Sequence, residues 1–220
     1  MSSKCFIITG ASTGLGKAMK DYLLSSTAHQ VISLSRKPEP TDEQNARISY
    51  HCCDLNDLGD FDLTQVLKPY LDCEELVLVN NAATIHPLDA VGKFTREDLE
   101  SYFRINVSAP ICLMNDFVTL AQQAKLYIIN ISSGAANRAI GHWSLYCSAK
   151  AAMQMFCDVL AVDHSSIAVA NIDPGVLDTQ MQREIRSSDI PDLEVFSGLA
   201  ENNQLKEPLD AAGDILAPYL

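Results

Sequence analysis

Several things that the sequence lacks narrow the class of protein it can encode. No apolar stretch approaches the roughly 20 residues needed to span a bilayer. Met1 to Lys4 lead into a predicted strand without the apolar core of a signal peptide. No CxxC pair occurs among the 7 cysteines, so neither a zinc site nor a disulfide framework is expected. These absences predict a cytoplasmic protein with reduced thiols and no bound metal.

Positive charge is also scarce. Lys and Arg number 16 against 28 Asp and Glu, which gives a formal net charge of −12 at pH 7. Because this sign repels phosphate backbones and anionic lipids, we expect neither nucleic acid nor a membrane as a partner. The sequence has no internal repeat, low-complexity tract or domain linker, and 220 residues suit one α/β domain. We therefore predict a single domain over residues 1–220.

Short apolar runs alternate with helical segments along the chain. The predicted strands lie near residues 4–9, 30–34, 48–53, 75–79, 125–131 and 166–172. This alternation predicts a mainly parallel sheet. Because the runs are nearly continuous, helices should cover both faces of the sheet. The fold class is therefore α/β, a doubly wound three-layer sandwich of the Rossmann type, with a polar loop over residues 36–45.

A glycine-rich turn separates the first predicted strand from the first predicted helix. Residues Thr9 to Gly16 read TGASTGLG. Glycine adopts backbone conformations that a Cβ forbids and lets the chain approach a pyrophosphate closely. The helix that follows directs unpaired N–H groups toward the phosphates. The turn is a candidate dinucleotide site, with an ordinary turn as the alternative; its candidate contacts are Gly10, Ser12, Thr13, Gly14, Leu15 and Gly16.

A second motif, Tyr-x-x-x-Lys, stands about 130 residues downstream. Tyr146 and Lys150 lie four residues apart at the start of a helix predicted over residues 145–162, so both side chains project from one face. A lysine ammonium near a phenol favours the phenolate, which would lower the tyrosine pKa from about 10 toward working pH. Tyr146 then becomes a usable general acid or base, and Ser133 a donor that polarises a carbonyl oxygen. The alternatives are a half-buried aromatic, a solvated lysine and a turn serine.

At this point the residues resemble the short-chain dehydrogenase/reductase family, from Lys4 to about Met181. Thr9 to Gly16 matches the family's TGxxxGxG, and Ser133 precedes Tyr146 by the family spacing of 13 residues. Further matches are Asp54-Leu55 (the acid that contacts adenine), Asn80-Asn81-Ala82-Ala83 (NNAG with its glycine replaced), Asn106 (the helix-four asparagine) and Pro174-Gly175-Val176-Leu177-Asp178-Thr179 (the motif that closes over the nicotinamide).

The resemblance implies a catalytic tetrad of Asn106, Ser133, Tyr146 and Lys150. It implies hydride transfer from a nicotinamide to a carbonyl carbon, with Tyr146 donating the proton and Ser133 holding the oxygen. Lys150 would also bind the nicotinamide ribose, and Asn106 would order a water that relays protons. It implies cofactor contacts from Asn81, Ala82, Pro174, Gly175, Val176 and Thr179 as well. A non-catalytic NADP-binding redox sensor or scaffold is the competing class, and its mark is a broken tetrad.

The second predicted strand ends Leu34-Ser35-Arg36-Lys37, without an acid to hold a ribose 2′-OH. Arg36 offers a planar fork for a 2′-phosphate, and Lys17 offers a point charge. The predicted cofactor is therefore NADP(H).

The substrate is predicted to be a small-molecule carbonyl compound. His142, Trp143 and Met181 are candidate pocket residues, and apolar or aromatic walls suit a flat diketone or a pterin-like ring. A surface position for His142 is the alternative. Residues 180–206 form either a substrate lid or a surface helical pair without a role. The segment from Pro174 to Met181 resembles the sepiapterin and benzil reductases of the family.

One departure from the family concerns the end of the sequence. A final helix is predicted over residues 209–220, and no seventh strand of the G-x-x-x-x-V-D-G type follows. Sepiapterin reductases carry a substrate-anchoring acid in that region, so its absence favours a general dicarbonyl or ketone reductase. It also favours a homodimer formed through the helices around residues 98–123 and 144–163.

Overall fold

The computed structural model describes residues 4–37, 45–120 and 124–220. Its strands are β1 (Lys4–Thr9), β2 (Gln30–Ser35), β3 (Ile48–Cys52), β4 (Glu75–Asn80), β5 (Lys125–Ile131) and β6 (Ala168–Ile172). Its α-helices are α1 (Gly14–Ser26), α2 (Leu63–Leu67), α3 (Arg96–Phe103), α4 (Ala109–Val118), α5 (Ser144–Asp163), α6 (Gln180–Arg186), α7 (Leu193–Glu201) and α8 (Pro208–Leu216). Residues 38–44 of the predicted loop and residues 121–123 of the predicted helical region lie outside the described residues.

The six strands of the described residues form one parallel sheet in the order β3-β2-β1-β4-β5-β6. Their bounds agree with the predicted strands to within two residues. The predicted α/β doubly wound fold is therefore confirmed. The strand order reverses between β1 and β4, and in such sheets the ligand crevice opens at the carboxyl ends of the strands beside that reversal.

Two apolar layers hold the helices on the sheet. Along β1, Cys5 and Ile7 point to one side while Phe6 and Ile8 point to the other, because successive side chains of a strand alternate between its faces. Side chains of α2, α4 and α5 cover the first face, and those of α1 and α8 cover the second. Burial on both faces explains why the strand sequences are nearly continuous apolar runs.

A row of amide side chains crosses the sheet near its carboxyl edge. Asn80 on β4 donates to Asn130 on β5 at 2.8 Å, and Asn130 donates to Asn171 on β6 at 2.7 Å. Asn171 in turn donates to the Asp158 carboxylate of α5 at 2.9 Å. The three asparagines are register partners in the sheet, so this row fixes both the strand register and the position of α5.

The predicted helical region 98–123 is interrupted by a π-helical segment, Arg104–Ser108, between α3 and α4. Pro110 has no N–H, so the carbonyl of Asn106 cannot accept the usual hydrogen bond from four residues on. The Ala109 N–H bonds to the Arg104 carbonyl instead, which is the i−5 pattern of a π-turn. The single proline therefore widens the helix at Asn106.

The predicted final helix is shorter than expected. α8 ends at Leu216, and Ala217–Tyr219 form one 3₁₀ turn that contains Pro218, which cannot continue an α-helix. The α8 helix packs on α1, where Gly213 lies against the ring of Tyr22.

Among the described residues, α5 alone is long and apolar enough, by length and composition, to cross a membrane. Core helices of soluble proteins meet the same criterion. Here the Met153, Cys157 and Leu160 side chains of α5 are buried against the sheet. The fold therefore uses this helix as the crossover between β5 and β6.

Candidate active site

A cavity of about 620 Å³ opens at the carboxyl ends of the strands, beside the reversal of strand order. This volume lies within the usual range for ligand sites, roughly 300–1,000 Å³. The predicted site residues that line it are Gly10, Ser12, Thr13, Gly14, Leu15, Arg36, Asp54, Leu55, Asn81, Ala82, Ser133, Trp143, Tyr146, Lys150, Pro174, Gly175, Val176, Thr179 and Met181. Four predicted site residues, Gly16, Lys17, Asn106 and His142, do not line it.

The glycine turn is shaped by steric requirements at three positions. Gly10 and Gly14 have φ of 70° and 54°, in the left-handed region that side chains disfavour. Gly16 is helical, but a Cβ there would lie 2.4 Å from both the Asn81 Nδ2 and the Gly10 carbonyl oxygen. Gly16 therefore lets α1 pack closely on the strand ends from behind the cavity wall.

The first turn of α1 presents free amide groups to the cavity. Thr13 is the N-cap but makes no side-chain capping bond, and the first turn contains no acidic residue. The first N–H groups of a helix have no intrahelical partner, and the helix dipole favours an anion at that end. The turn and helix therefore fit the pyrophosphate of a dinucleotide, because binding this group requires the protein backbone to approach it closely.

Thr9 ties the glycine turn to the neighbouring strand end. Its hydroxyl accepts hydrogen bonds from the backbone N–H groups of Asn81 and Ala82 at 2.9 and 3.0 Å. The Asn81 side chain donates to the Thr9 carbonyl at 2.9 Å. Asn81 thus braces the turn as well as lining the cavity.

The far end of the cavity is formed by the carboxyl ends of β2 and β3. Arg36 is exposed and follows β2 directly, and Asp54 and Leu55 follow β3. The Lys17 ammonium forms an ion pair with Asp21, one turn further along α1. Lys17 does not line the cavity, so Arg36 is the basic residue at this end in the part of the chain that the structure describes.

The other end of the cavity brings Ser133 and Tyr146 together. Ser133 follows β5 and caps a 3₁₀ turn, accepting from the Ala135 N–H at 3.2 Å. Its hydroxyl also lies close enough to the phenol of Tyr146, at the start of α5, to lower the pKa of that phenol. The Tyr146 ring packs edge-to-face on Trp143, with the centroids 5.5 Å apart, and is 8% exposed. A serine and a phenol therefore converge on one point in a nearly dry pocket.

Lys150 lies one turn beyond Tyr146. Its ammonium donates to the Ile131 carbonyl at 2.7 Å and lies 5.6 Å from the Tyr146 ring centroid. Burial lowers the pKa of Lys150 to about 8, against a raising contribution from the Asp173 charge. Lys150 is thus held at the end of β5 with a pKa only slightly above neutral pH.

The expected lowering of the Tyr146 pKa is wrong for this structure. Burial raises the pKa of Tyr146 to about 12, the neighbouring Ser133 hydroxyl opposes the rise, and the Asp173 charge adds to it. Desolvation disfavours a phenolate, and the Lys150 ammonium is directed to a backbone carbonyl. Tyr146 is therefore firmly protonated at neutral pH.

Asn106 lies behind the cavity wall in the π-helical segment. Its side chain accepts from the Thr84 N–H at 2.9 Å and donates to the Thr84 and Tyr102 carbonyls at 3.2 Å each. These bonds fix the segment that follows β4. Asn106 holds the wall in place, and its backbone carbonyl is released by the proline described above.

The helices α6 and α7 cover the substrate end. Thr179 caps α6, and the aromatic ring of Phe196 on α7 stacks on Trp143 at 5.1 Å and an interplanar angle of 13°. Together with Ile85, Ile140, Met181 and Ile185, these rings give the pocket an apolar wall. The segment predicted as a lid thus contains two helices that contact the catalytic end of the cavity.

His142 does not enter the pocket. It adopts a φ of 65°, and its ring nitrogen is bonded to the Asp189 carbonyl at 3.2 Å. This hydrogen bond fixes the ring between two loops. The surface alternative for His142 is thus the one that the structure favours.

Comparison with known proteins identifies the family. The model of the short chain dehydrogenase family matches residues 4–190, which include the glycine turn, Ser133, Tyr146 and Lys150. The chain belongs to the short chain dehydrogenases. Members of this family are oxidoreductases that use a nicotinamide cofactor, and the cradle described above fits such a group.

Two relatives are similar to this short chain dehydrogenase over most of its length. A benzil reductase ((S)-benzoin forming) from Bacillus subtilis is 32% identical, covering 96% of this chain and 91% of the relative. Sepiapterin reductase from Rattus norvegicus is 28% identical, covering 93% of this chain and 85% of its own. The crystal structure of the KRED1-Pglu enzyme superposes with a TM-score of 0.88 at 27% identity, covering 99% of this chain and 95% of that one.

Several residues of this short chain dehydrogenase line the cavity without having been predicted, and three of them carry polar or charged groups into it. Asp173 follows β6, Arg138 follows the 3₁₀ turn after Ser133, and Gln182 lies on α6. Gln182 is 3% exposed and donates to the Phe196 carbonyl at 3.3 Å, while its side-chain oxygen has no hydrogen-bond partner among the described residues. Of these, Asp173 alone carried a sequence signal, a carboxylate directly before the matched Pro-Gly.

Proposed function

We propose that the protein reduces a ketone or α-dicarbonyl compound to the hydroxy compound with NADPH. One observation carries this proposal: a single cavity joins a dinucleotide cradle to the neighbouring side chains of Ser133, Tyr146 and Lys150. The printed names of the two relatives, a benzil reductase and a sepiapterin reductase, support a carbonyl substrate.

The proton chemistry follows from the state of Tyr146. With its pKa raised to about 12, the phenol carries its proton at neutral pH and can donate it to a carbonyl oxygen. The Ser133 hydroxyl donates a hydrogen bond to the same carbonyl oxygen and stabilises the negative charge that develops on it. When bound, the nicotinamide supplies the hydride. The state of the phenol therefore favours the reductive direction.

Lys150 contributes a charge at the same point. Below a pH of about 8 it is an ammonium, which attracts the developing alkoxide and phenolate and offers donors for a ribose hydroxyl. Above that pH the charge is lost. We therefore expect the rate of reduction to fall as the pH rises through about 8.

The preference for NADPH over NADH rests on Arg36. Its guanidinium is exposed at the end of β2, where the ribose of a dinucleotide lies in this fold. Within the described residues, no acid follows β2 directly to hold a 2′-OH. A planar fork matches a phosphate in two hydrogen bonds. The proposed preference for NADPH therefore depends on the positive charge of Arg36.

The walls of the substrate end suit a flat, apolar carbonyl compound. Trp143 and Phe196 form a stacked aromatic pair beside the Tyr146 ring. A site lined by apolar and aromatic groups with few polar ones takes its specificity from shape. An aromatic α-diketone is the substrate class we propose, with α6 and α7 acting as the lid over it.

We also propose a homodimer. Met155, Val159 and Val162 on α5 are 63%, 48% and 81% exposed and lie on one face of the helix at spacings of four and three residues. Burial of this face against a second copy would remove apolar side chains from water. Light scattering after size exclusion tests the assembly, and Val159→Lys is expected to give a monomer.

The experiment that tests the activity follows the consumption of NADPH with a panel of benzil, other α-diketones, aromatic aldehydes and sepiapterin, with NADH as the comparison. We expect turnover of at least one diketone and a clear preference for NADPH. Binding of NADPH without turnover of any compound would contradict the proposal and favour a redox sensor or scaffold.

A further inference from the structure

The residue that follows the last strand of the sheet is a carboxylate, and the parallel register brings it beside the catalytic groups. Ile172, the last residue of β6, is the register partner of Ile131, and the Ser132 N–H donates to the Ile172 carbonyl at 2.7 Å. Asp173 therefore begins its loop alongside Ser132 and Ser133. Lys150 is bound to the Ile131 carbonyl at the same level of the sheet.

The Asp173 carboxylate is held in this place by its own contacts. Its Oδ1 accepts from the Gly175 N–H at 3.0 Å, in the loop that lines the cavity. Its Oδ2 approaches Gly134 so closely that a Cβ on that glycine would lie 3.3 Å away. The carboxylate thus spans the gap between the β6 loop and the residue that follows Ser133.

We propose that Asp173 is a positioning residue of the active site: its charge holds Lys150 as an ammonium, adds to the burial that keeps Tyr146 protonated, and so sets the site for reduction rather than oxidation. This inference rests on the proposed function. A carboxylate beside an ammonium stabilises the ammonium, and beside a phenol it opposes the phenolate. Reduction needs Lys150 as an ammonium and Tyr146 as a protonated phenol, whereas oxidation of an alcohol needs the phenolate as base.

Other groups around the pair do not supply this charge. Tyr102 approaches Tyr146 from α3, and burial raises the pKa of its phenol, so it carries no charge at neutral pH. Cys147 lies next to Tyr146 on α5 and is half-buried. Arg138, from the loop after Ser133, is exposed and carries the opposite sign. The Asp173 charge raises the pKa of both Lys150 and Tyr146, in the directions that the proposal requires.

The test is Asp173→Asn, which keeps an oxygen that can accept from the Gly175 N–H and removes the charge. Removal lowers the pKa of Lys150 and of Tyr146 together, so both effects move in one direction. We expect the alkaline fall in the rate of reduction, and the alkaline rise in the rate of alcohol oxidation, to move to lower pH by about one unit. The rate of reduction at pH 8 should fall several-fold.

A second readout does not depend on turnover. In the cofactor-free protein, nuclear magnetic resonance of ¹³C-labelled lysine follows the titration of Lys150, with Lys150→Arg to assign its signal. We expect the midpoint in Asp173→Asn to lie about one pH unit below that of the native protein. An unchanged midpoint would overturn the inference, and a midpoint that moves in a protein that reduces no substrate would retain it while the proposed function failed.

Two control variants separate charge from structure. Asp163→Asn removes the same charge from an exposed carboxylate at the last residue of α5, which does not line the cavity, and should leave both profiles in place. Asp173→Glu keeps the charge and should retain the native alkaline limit. Equal shifts in Asp163→Asn and Asp173→Asn would reduce the effect to net charge and contradict a specific role.

Discussion

The two ends of the cavity differ in whether the backbone or the side chains form their walls. The cofactor end is formed mainly by backbone: the glycine turn, the first turn of α1 and the ends of the central strands. The substrate end is formed by side chains, with Trp143 and Phe196 stacked across the gap between α5 and α7. Backbone at strand ends is fixed by the sheet, whereas side chains that meet between two helices depend on their mutual packing. The first end therefore serves a constant ligand and the second a variable one.

The largest effect should come from Tyr146→Phe, because it breaks the substrate end and leaves the cofactor end intact. Removal of a general acid typically lowers the rate by about 10²- to 10⁴-fold. We expect a fall of that size in kcat for carbonyl reduction, with the Kd of NADPH nearly unchanged in a fluorescence titration. A variant that turns over at the native rate would remove Tyr146 from the mechanism.

Arg36→Asp should do the reverse and alter the cofactor end alone. Hydrogen bonds to a charged group contribute about 1.5–3 kcal/mol, which corresponds to about a 10- to 100-fold loss in kcat/KM for NADPH. The value for NADH should stay constant or rise, since a carboxylate can hold the ribose 2′-OH.

Lys17→Gln is the companion variant, because Lys17 is paired with Asp21 outside the cavity lining. We expect its effect on the NADPH kcat/KM to be much smaller than that of Arg36→Asp. Equal losses in the two variants would return Lys17 to the phosphate site.

Gly16→Ala tests how tightly the cofactor end is packed. The added methyl would lie 2.4 Å from two atoms, so the fold should lose about 1–3 kcal/mol in its free energy of unfolding, measured by urea titration. Gly198→Ala is the matched control, because its Cβ would have no heavy atom nearer than 4.0 Å and it lies within α7. That control should raise the stability by up to about 1 kcal/mol.

The smallest effect should come from Phe196→Ala. Loss of the stacked ring should raise the KM of the carbonyl substrate about two- to tenfold, the range expected for one aromatic pair, without changing the Kd of NADPH. His142→Ala, outside the pocket, should leave both constants within the error of the assay. If His142→Ala raised the KM as much, the assigned wall of the pocket would be wrong.

The parts that could be predicted from sequence are those that local sterics dictate. The strands followed from runs of apolar residues, and the glycine turn from positions where a Cβ has no room, as Gly16 illustrates. The π-helical segment depended on Pro110 acting four residues upstream, within a region that otherwise resembled one helix. Periodicity alone does not report such a bond.

The parts that could not be predicted depend on burial and on long-range contacts. The direction of the Tyr146 pKa is set by desolvation in the folded protein, whereas sequence spacing showed only the nearby lysine. His142 is next to Trp143 in the chain, but its bond to Asp189, 47 residues away, takes it elsewhere. Gln182 enters the pocket because α6 rotates it inward, and its neighbours in sequence give no sign of this.

The amide row across the sheet has a practical consequence for changing this protein. It fastens the middle of α5 to the sheet through Asp158, while Lys150 fastens its beginning to β5. Tyr146 and Lys150 are therefore held in place independently of the helices α6 and α7 that cover them. A mutant library confined to residues 181–199 should change which substrates the protein accepts. The proton donor Tyr146, the charge of Lys150 and the dinucleotide site should remain unchanged.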